Sequence, residues 1–594
     1  MRKFLSLIKK SIYYVKNFGI FSFLKKSKAY LKDRVLRKNQ NISYNEFIKR
    51  DEKFNTGAIK KEIESFKYKP LISVIIPTYN TPLKFLNEAV KSVQTQFYQN
   101  WEIIIYDDAS SNESTISFLK KIKDPKIKVF FSKKNRHISK NTNLAIQKSN
   151  GEYLAFLDHD DTLSKNALYE IVKILQKTKN IDFFYSDEDK LTQASKRHSP
   201  FFKPDFSYDL LLSCMYITHL RVIRKEVLKK VGIHNSEYDG AQDWDLALRF
   251  YEKNAKFYHI PKILYHWREG KDSTASSFSF AKDYAYSAQR KLLEAHLKRV
   301  KENALVSEGK WRGSWRIKRK IEDNPKVEII IPFKDKVDYL RKCIESILKK
   351  SSYKNYEILL IDNNSMETET FKYLETLSNI KNIRMVKYKK RFNYSLINNF
   401  GAKITKSDYL LFLNSDIEVI TKDWIECLLE NSQRKNIGAV GGLLLYKDGT
   451  VQHAGIILGL GGVAAHSHRG FDGFSNGHGG FLTVQRNYSA VTAACMMIER
   501  QKFEKVKGFD PKLEIAYNDV DLCLRLEREG FNTVYTPYVK LYHFESKTRK
   551  KTKGENIHDT NMFIRKYKQL LLKGDPYYNP NLTLSKEDFT IRKI

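Results

Sequence analysis

The 594-residue chain lacks most of the features that mark secreted or membrane-spanning proteins. Its five cysteines include no C-x-x-C pair, which is typical of free thiols in a reducing compartment rather than of a disulfide framework. No run of 18 or more apolar residues occurs, so no transmembrane helix is predicted. Lysines interrupt the apolar stretch at the N terminus, and no signal-peptide core is predicted there. We therefore expect a cytoplasmic protein.

Acidic residues are scarce at the N terminus, where residues 1–40 contain 12 Lys or Arg and a single acid, Asp33. Apolar side chains recur there on one helical face: Phe4, Leu5, Ile8, Ile12 and Val15. The pattern predicts an amphipathic helix lying on an anionic membrane surface, at the inner face of the cell membrane. The alternative is a helix packed on the protein body with a solvated basic face. The whole chain carries a net charge of +37, which also favours anionic partners.

Strand patterns that run directly into carboxylates are abundant. The apolar stretch 153–157 is followed at once by Asp158, Asp160 and Asp161, and the stretch 102–106 by Asp107 and Asp108. Strands alternate with helices at the spacing of βαβ units, which predicts a mostly parallel, doubly wound sheet. In such sheets ligands bind at the carboxyl ends of the strands. The sequence therefore predicts a site that binds a metal-bound phosphate ester.

The same order of features occurs twice. Pro332 lies 255 residues after Pro77, and Asp362 lies 255 residues after Asp107. Later the spacing grows by about twenty residues, which we assign to the Gly/His-rich stretch 452–480 of the second copy. The predicted organisation has five parts: an N-terminal region 1–69, a first domain 70–300, a linker 301–325, a second domain 326–575 and a C-terminal tail 576–594.

Three other interpretations are less favoured. Interleaved Trp and Arg in 310–320 could contact nucleic acid, but no nucleic-acid-binding signature accompanies them, so we predict a connector and no nucleic-acid partner. Four histidines could form a zinc cluster, but their surroundings are glycine-rich and contain no cysteine: His453, His466, His468 and His478. A nucleotidyltransferase would require a glycine-rich phosphate loop after the first strand, where this chain has Pro77-Thr-Tyr79-Asn.

The ordered motifs resemble those of family-2 glycosyltransferases with the GT-A fold. In the first half they are Pro77-Thr-Tyr-Asn80, Tyr106-Asp-Asp-Ala-Ser110, Asp158-His-Asp160-Asp161, Asp187-Glu-Asp189-Lys190, Gln242-Asp-Trp-Asp245 and Tyr265-His266. In the second half they are Ile361-Asp-Asn-Asn-Ser365, Asn414-Ser-Asp416, Asn518-Asp-Val-Asp521 and Tyr542-His543. The resemblance covers roughly residues 70–290 and 325–570, and together the halves resemble tandem enzymes of bacterial surface-polysaccharide or O-antigen assembly. It implies an α/β protein with two GT-A domains in tandem, each Rossmann-like with a mostly parallel sheet.

The resemblance also implies roles for individual residues. The general base would be Asp243 in the first half and Asp519 in the second. The nucleotide-sugar donor would be bound by ten residues: Pro77, Tyr79, Asp107, Asp108, Asp158, Asp160, Asp362, Asn363, Asn414 and Asp416. An Mn²⁺ or Mg²⁺ ion would be held by Asp158, Asp160 and His266 in one half, and by Asp416 and His543 in the other. Two departures from the family pattern stand out, because Asn414 replaces the first metal-binding Asp and Gln242 stands where many relatives have Glu.

The predicted function is that of a bifunctional inverting glycosyltransferase. It would transfer sugars from nucleotide-sugar donors to a growing bacterial surface glycan, with a glycan or lipid-linked glycan as acceptor. One carboxylate base and no covalent nucleophile in the family imply inversion at the anomeric carbon. The alternative is that one domain is catalytic and the other is a carbohydrate-binding scaffold.

Overall fold

The computed structural model describes three stretches of the chain: residues 42–270, 283–544 and 557–593. The predicted amphipathic helix of residues 1–40 lies outside the described residues, as does the basic cluster between residues 547 and 553. Within the three stretches, no helix is long and apolar enough to cross a membrane.

The first half is built on a nine-stranded sheet with helices on both faces. Its central strand alternates between two cores, because Val74 and Ile76 pack on one face while Ile75 packs on the other. A strand that is buried on both faces must be apolar throughout, and this accounts for the unbroken apolar run before Pro77. The elements that lead to and form this half are α1 (Tyr44–Asp51), α2 (Thr56–Ser65), β1 (Ile72–Thr78), α3 (Leu83–Gln94), β2 (Trp101–Asp107), α4 (Glu113–Lys121), β3 (Ile127–Phe131), α5 (His137–Lys148), β4 (Tyr153–Phe156), β5 (Thr162–Leu163), α6 (Ala167–Lys177), β6 (Phe183–Leu191), β7 (Arg197–Phe201), α7 (Tyr208–Ser213), β8 (Arg221–Arg224), α8 (Lys225–Val231), α9 (Gln242–Glu252) and β9 (Phe257–Arg268).

A helix and a hairpin follow the first half: α10 (Asp283–Arg299), β10 (Ala304–Glu308) and β11 (Trp315–Arg319). The second half then forms a ten-stranded sheet and a separate two-stranded sheet. Its elements are β12 (Val327–Phe333), α11 (Val337–Lys350), β13 (Tyr356–Asp362), α12 (Thr368–Leu377), β14 (Ile383–Lys387), α13 (Tyr394–Lys403), β15 (Tyr409–Leu413), β16 (Ile417–Val419), α14 (Trp424–Ser432), β17 (Ile437–Leu445), β18 (Val451–His453), β19 (Ile456–Leu458), β20 (Ala464–His466), β21 (Arg486–Tyr488), β22 (Cys495–Glu499), α15 (Arg500–Lys505), α16 (Asn518–Arg528), β23 (Asn532–His543) and α17 (Ile557–Lys573).

The two sheets have the same strand order. The first runs β3-β2-β1-β4-β8-β6-β9-β5 and the second β14-β13-β12-β15-β22-β17-β23-β16. The four strands at the beginning of each order are parallel, and the fifth, β8 or β22, is antiparallel to its neighbours. The internal repeat read from the sequence is therefore a repeat of topology. Strands β1 to β9 lie within 70–300 and β12 to β23 within 326–575, while the boundaries themselves stay predictions.

The predicted linker contains the β10–β11 hairpin and packs between the halves. Trp315 is buried, so its ring is not available to stack on a nucleic acid base. The guanidinium of Arg316 lies over the ring of Tyr538 in the second half, 4.2 Å from its centroid. The hairpin therefore acts as a packed connector.

Buried polar contacts also join the halves directly. The Arg434 guanidinium of the second half pairs with the Asp209 carboxylate of the first at 2.6 Å, and both side chains are buried. Gln485 and Asn487 donate further hydrogen bonds to the two Asp209 oxygens, at 2.9 and 3.0 Å. Both carboxylate oxygens of Asp209 thus accept hydrogen bonds from the other half, as a buried carboxylate requires.

The C-terminal segment, residues 575–593, extends across both halves. Asn579 donates to both oxygens of Asp187 in β6 and to the Lys203 carbonyl, at 2.8 to 3.0 Å. Further on, the ring of Phe589 stacks on His478 of the second half, with 4.7 Å between centroids. The predicted tail is therefore a packed part of the fold.

Candidate active sites

Asp107 and Asp108, at the end of β2, are buried and already have polar partners. Asp107 accepts hydrogen bonds from the backbone N–H and the hydroxyl of Ser110, at 2.9 and 2.6 Å. Asp108 accepts one from the backbone N–H of Arg136 at 2.8 Å, and burial raises the pKa of Asp108. These carboxylates hold the loops around the strand end, and their contact with a nucleotide stays a prediction. Tyr79 is 47% exposed beside them, whereas Pro77 is buried within β1.

The corresponding loop of the second half is held in a similar way. Asp362, at the end of β13, accepts the backbone N–H of Ser365 at 2.9 Å. The Asn363 amide donates to the carbonyls of Tyr388 and Lys390, at 3.0 and 2.8 Å. At the equivalent position of the first half, the Asp108 carboxylate accepts a hydrogen bond from its loop. The Asn363 amide instead donates hydrogen bonds to its loop, so the two side chains have opposite hydrogen-bonding roles.

The three aspartates after β4 have two different environments. The side chains of Asp158 and Asp160 are 48% and 34% exposed. The Asp161 carboxylate is instead buried, and it accepts the Tyr265 hydroxyl and the Arg268 backbone N–H, each at 2.6 Å. Burial, together with the neighbouring charges of Asp160 and Asp158, raises the pKa of Asp161 well above its usual range. Asp161 is a structural group, and the two exposed aspartates are those available to a ligand.

His266 lies at the end of β9 with one ring nitrogen fixed. Its Nδ1 is 2.6 Å from Oδ1 of Asp189, and the other Asp189 oxygen accepts the Arg197 Nε–H at 2.5 Å. The Tyr44 hydroxyl of α1 also donates to Asp189. A carboxylate on Nδ1 orients the imidazole and leaves Nε2 as its acceptor, which is the usual arrangement of a metal-binding histidine.

The donor groups of the first half fit a hard divalent cation. Mn²⁺ accepts both carboxylate and imidazole ligands, which here would be Asp158, Asp160 and the oriented His266. Mg²⁺ prefers oxygen donors and would be bound by the two carboxylates. Within the described ranges, however, no three His, Cys, Asp or Glu side chains are grouped closely enough to hold an ion. Binding of one ion by Asp158, Asp160 and His266 therefore stays a prediction.

Asp243 occupies the first turn of α9, and its side chain is 30% exposed. It forms an ion pair with Arg221 of β8, a side chain that is only 6% exposed. Burial raises the pKa of Asp243, but the charges of Arg221 and then His234 outweigh burial and hold this pKa below its ordinary value. The predicted base of the first half is thus an ionised carboxylate with a permanent cation beside it.

In the second half Asn414, Asp416 and His543 lie together. The His543 Nε2 is 3.3 Å from both the Asn414 Nδ2 and an Asp416 oxygen, and the Asp416 and His543 side chains are buried. In the part of the chain that the structure describes, the buried Nδ1 of His543 has no hydrogen-bond partner. This histidine therefore lacks the carboxylate that orients His266, and its site differs from the first by more than the Asn414 substitution.

Asp519 occupies the first turn of α16, at the position that corresponds to Asp243. Its carboxylate accepts the backbone N–H groups of Ala493 and Val520, at 3.2 and 2.9 Å. Burial raises the pKa of Asp519, although these N–H groups act in the opposite direction. The two predicted bases thus occupy equivalent positions, but a cation lies beside Asp243 whereas backbone N–H groups contact Asp519.

The four histidines of the Gly/His-rich stretch separate into two pairs. The Nδ1 atoms of His453 and His466 are 2.8 Å apart, and the Nε2 of His468 accepts the backbone N–H of His478 at 3.3 Å. The His453 Nε2 accepts the backbone N–H of Thr492, whose neighbour Ala493 donates its own backbone N–H to Asp519. Two structural roles therefore account for these residues.

The structure adds three residues to which the sequence alone assigns no role at the catalytic sites: Asp189, Arg221 and His453. In the sequence, the adjacent acids at positions 187–189 are the one signal that points to a role for Asp189. Arg221 and Asp243 are 22 residues apart in the sequence, and Arg221 is positioned by the pairing of β8 with β4. No local sequence pattern predicts this contact.

Both halves therefore have the architecture of a GT-A glycosyltransferase domain, with acidic strand ends and a later helix that begins at a carboxylate. The family model described as "Glycosyl transferase family 2" matches residues 73–232 and 328–507, more than half of the chain. The chain belongs to this family of glycosyltransferases. The predictions of the family and of the tandem α/β fold are thereby confirmed.

Two curated relatives align with most of the chain. The uncharacterized protein y4gI of Sinorhizobium fredii is 37% identical over 547 residues, which are 90% of this chain and 60% of the relative. The O-antigen biosynthesis protein RfbC of Myxococcus xanthus is 36% identical over 542 residues, covering 90% of this chain and 42% of the relative. The chain thus spans about half the length of these relatives. Among solved structures, S. aureus TarS 1–349 in complex with UDP-GlcNAc is 20% identical, covering 38% of this chain and 66% of that one, with a TM-score of 0.32.

Proposed function

We propose that this chain is a bifunctional inverting glycosyltransferase that adds sugars from nucleotide-sugar donors to a growing, lipid-linked bacterial surface glycan. The observation that carries the proposal is the repetition of a partly exposed carboxylate at the start of α9 and of α16, in two sheets of the same topology. The name of the M. xanthus relative supports a surface glycan as the product class.

The proposed chemistry assigns one proton transfer to each half. Asp243 or Asp519 accepts the proton of an acceptor hydroxyl as its oxygen attacks the anomeric carbon of the donor sugar. The bond from that carbon to the nucleotide diphosphate breaks as the new glycosidic bond forms. A single displacement with no covalent intermediate inverts the configuration at the anomeric carbon.

The leaving nucleotide develops negative charge, and a divalent cation, when bound, supplies Lewis-acid stabilisation of that charge. Asp158, Asp160 and His266 would hold such an ion in the first half, and Asp416 with His543 in the second. The second set has one carboxylate fewer, so we expect the second half to bind Mn²⁺ more weakly. Calorimetric titration of the protein with Mn²⁺ should resolve two classes of site, and two sites of equal affinity would contradict this assignment.

The halves differ on the side where the donor is proposed to bind, and we infer that they use different donors. The chain would be incubated with UDP-, GDP- and dTDP-sugars while release of the nucleotide is measured. Asp243→Asn should lower turnover of one donor by about 10²- to 10⁴-fold and spare the other, with Asp519→Asn doing the converse. Glu226→Gln, which changes an exposed carboxylate on α8, is the control and should leave both rates unchanged.

The ion pair between Asp243 and Arg221 favours one alternative, in which the first half is a carbohydrate-binding scaffold. Wild-type turnover of every donor by Asp243→Asn would establish that alternative. The same result for Asp519→Asn would make the second half the scaffold.

We further propose that the chain acts in the cytoplasm, attached peripherally to the inner face of the cell membrane. The 12 basic residues among residues 1–40 support this attachment. Deleting residues 1–40 should release the protein from vesicles of anionic lipid, and salt should weaken binding of the intact chain. Equal sedimentation of both proteins with the vesicles would refute it.

A further inference from the structure

Arg221 of the first half has a structural counterpart in the second half that carries no charge. In the first sheet Phe156 of β4 lies opposite Arg221 of β8. In the second sheet Phe412 of β15 lies opposite Met496 of β22. Because both sheets have the same strand order, Arg221 and Met496 occupy equivalent positions beside the two helices that begin with the predicted bases.

Basic side chains face Asp243 from each neighbouring element, and burial lowers the pKa of one of them, His234, to about 4, so that His234 is neutral near pH 7. Arg221 approaches from β8, His219 from the loop before β8 and His234 from the loop after α8. The Arg221 guanidinium also lies over the Phe156 ring, 5.6 Å from its centroid, and its side chain is 6% exposed. A guanidinium held in this way is fixed in place and remains charged at all working pH values.

Among the residues that the structure describes, the groups found to contact or face Asp519 are neutral. Its carboxylate is contacted by backbone N–H groups and by the Thr492 hydroxyl. The titratable side chains that face it are Tyr394 of α13 and Cys523 of α16. Burial raises the pKa of both of these groups, so both are neutral near pH 7. Met496 itself is fully buried.

We propose that Arg221 is a positioning residue that sets the basicity of Asp243, so that the two halves of this enzyme respond differently to pH. The inference rests on the proposed function, because it takes Asp243 and Asp519 as the two general bases. A base works only in its ionised form, and a neighbouring cation keeps a carboxylate ionised to lower pH. As the pH falls, the second half should therefore lose activity before the first.

The test measures the acid limb of kcat/KM for each half between about pH 4 and pH 8. Hydrolysis of UDP-, GDP- and dTDP-sugars serves as the readout, with donors assigned to halves by Asp243→Asn and Asp519→Asn. Arg221→Met and Arg221→Gln remove the charge and should move the acid limb of the first half upward by about 1 to 3 pH units. Arg221→Lys keeps the charge and should leave the limb near its wild-type position. The reciprocal Met496→Arg should move the limb of the second half downward.

Arg221→Gln preserves a hydrogen-bond donor toward Asp243 and keeps the test decisive where Arg221→Met does not fold, as judged by circular dichroism. A folded Arg221→Gln protein whose acid limb matches wild type, although Asp243→Asn abolishes turnover, would overturn the proposal and leave Arg221 a structural residue. Full turnover by Asp243→Asn would instead refute the proposed function of the first half, so the two failures are distinguishable.

Discussion

At the scale of single residues, β6 shows how neighbouring acids in one motif take different roles. Asp189 orients His266, Asp187 accepts the amide of Asn579, and Glu188 pairs with the buried Lys203 at 3.0 Å. A motif that the sequence presents as one acidic cluster therefore makes three separate sets of contacts, and it is Asp189 that contacts the predicted metal-binding histidine.

Glu188 supports a prediction about pH. Burial raises its pKa, but the charges of Lys203 and His219 outweigh burial and lower the pKa of Glu188 to about 2, from an ordinary value of 4.5. A folded-state pKa below the unfolded one stabilises the protein above the unfolded value, and this stability is lost as pH falls from about 4.5 to about 2. The free energy of unfolding in urea should therefore differ between wild type and Glu188→Gln by roughly 2 kcal/mol more at about pH 6 than at about pH 3. An equal difference at both pH values would contradict this.

At the scale of elements, the C-terminal segment has a packing role that its amino-acid composition does not reveal. Asn579 makes three hydrogen bonds to the first half, whereas Asn581 donates one, to the Pro261 carbonyl at 2.8 Å. Removing the Asn579 amide leaves the buried Asp187 carboxylate with fewer hydrogen-bond donors. This costs more free energy than the loss of one hydrogen bond to a carbonyl.

Asn579→Ala should therefore lower the free energy of unfolding by about 2 to 3 kcal/mol, and Asn581→Ala by about 1 kcal/mol. Urea unfolding of both variants under the same conditions gives the comparison. Equal losses for the two variants would mean that the segment is held by its apolar contacts, such as Phe589 on His478, rather than by Asn579.

The elements of the sheets could be predicted from the sequence because their signals are local. The apolar run 72–77 and the apolar face of the helix Leu83–Gln94 follow from residue spacing alone. The cation beside Asp243 and the histidine beside Thr492 depend on pairings between distant segments, and one sequence contains no record of such pairings. The exposed pair Asp158 and Asp160 could be told from the buried Asp161 only by the position of Tyr265.

At the scale of the whole molecule, the halves form a common folded unit. Arg434 and Asp209 are 7% and 1% exposed, and each belongs to a different half. Removing one partner of a buried ion pair leaves the other charge uncompensated, which typically costs about 3 to 5 kcal/mol.

Arg434→Met should therefore destabilise both halves together by about 3 to 5 kcal/mol. Hydrogen exchange should show faster exchange in α7 and in α14, on opposite sides of the interface. Arg391→Met is the control, since Arg391 is 87% exposed in its pair with Glu514 and should contribute less than about 1 kcal/mol. Loss of protection in only one half would show that the halves unfold independently.

The pairing of Arg434 with Asp209 also constrains how such a chain can change over generations. A first half exchanged by recombination for one with an apolar residue in place of Asp209 would leave the Arg434 guanidinium buried without a counter-ion. A foreign second half without Arg434, Gln485 or Asn487 would strand the Asp209 carboxylate in the same way. New specificities are therefore expected to arise by substitution within the strand-end loops, with the two halves inherited as one piece.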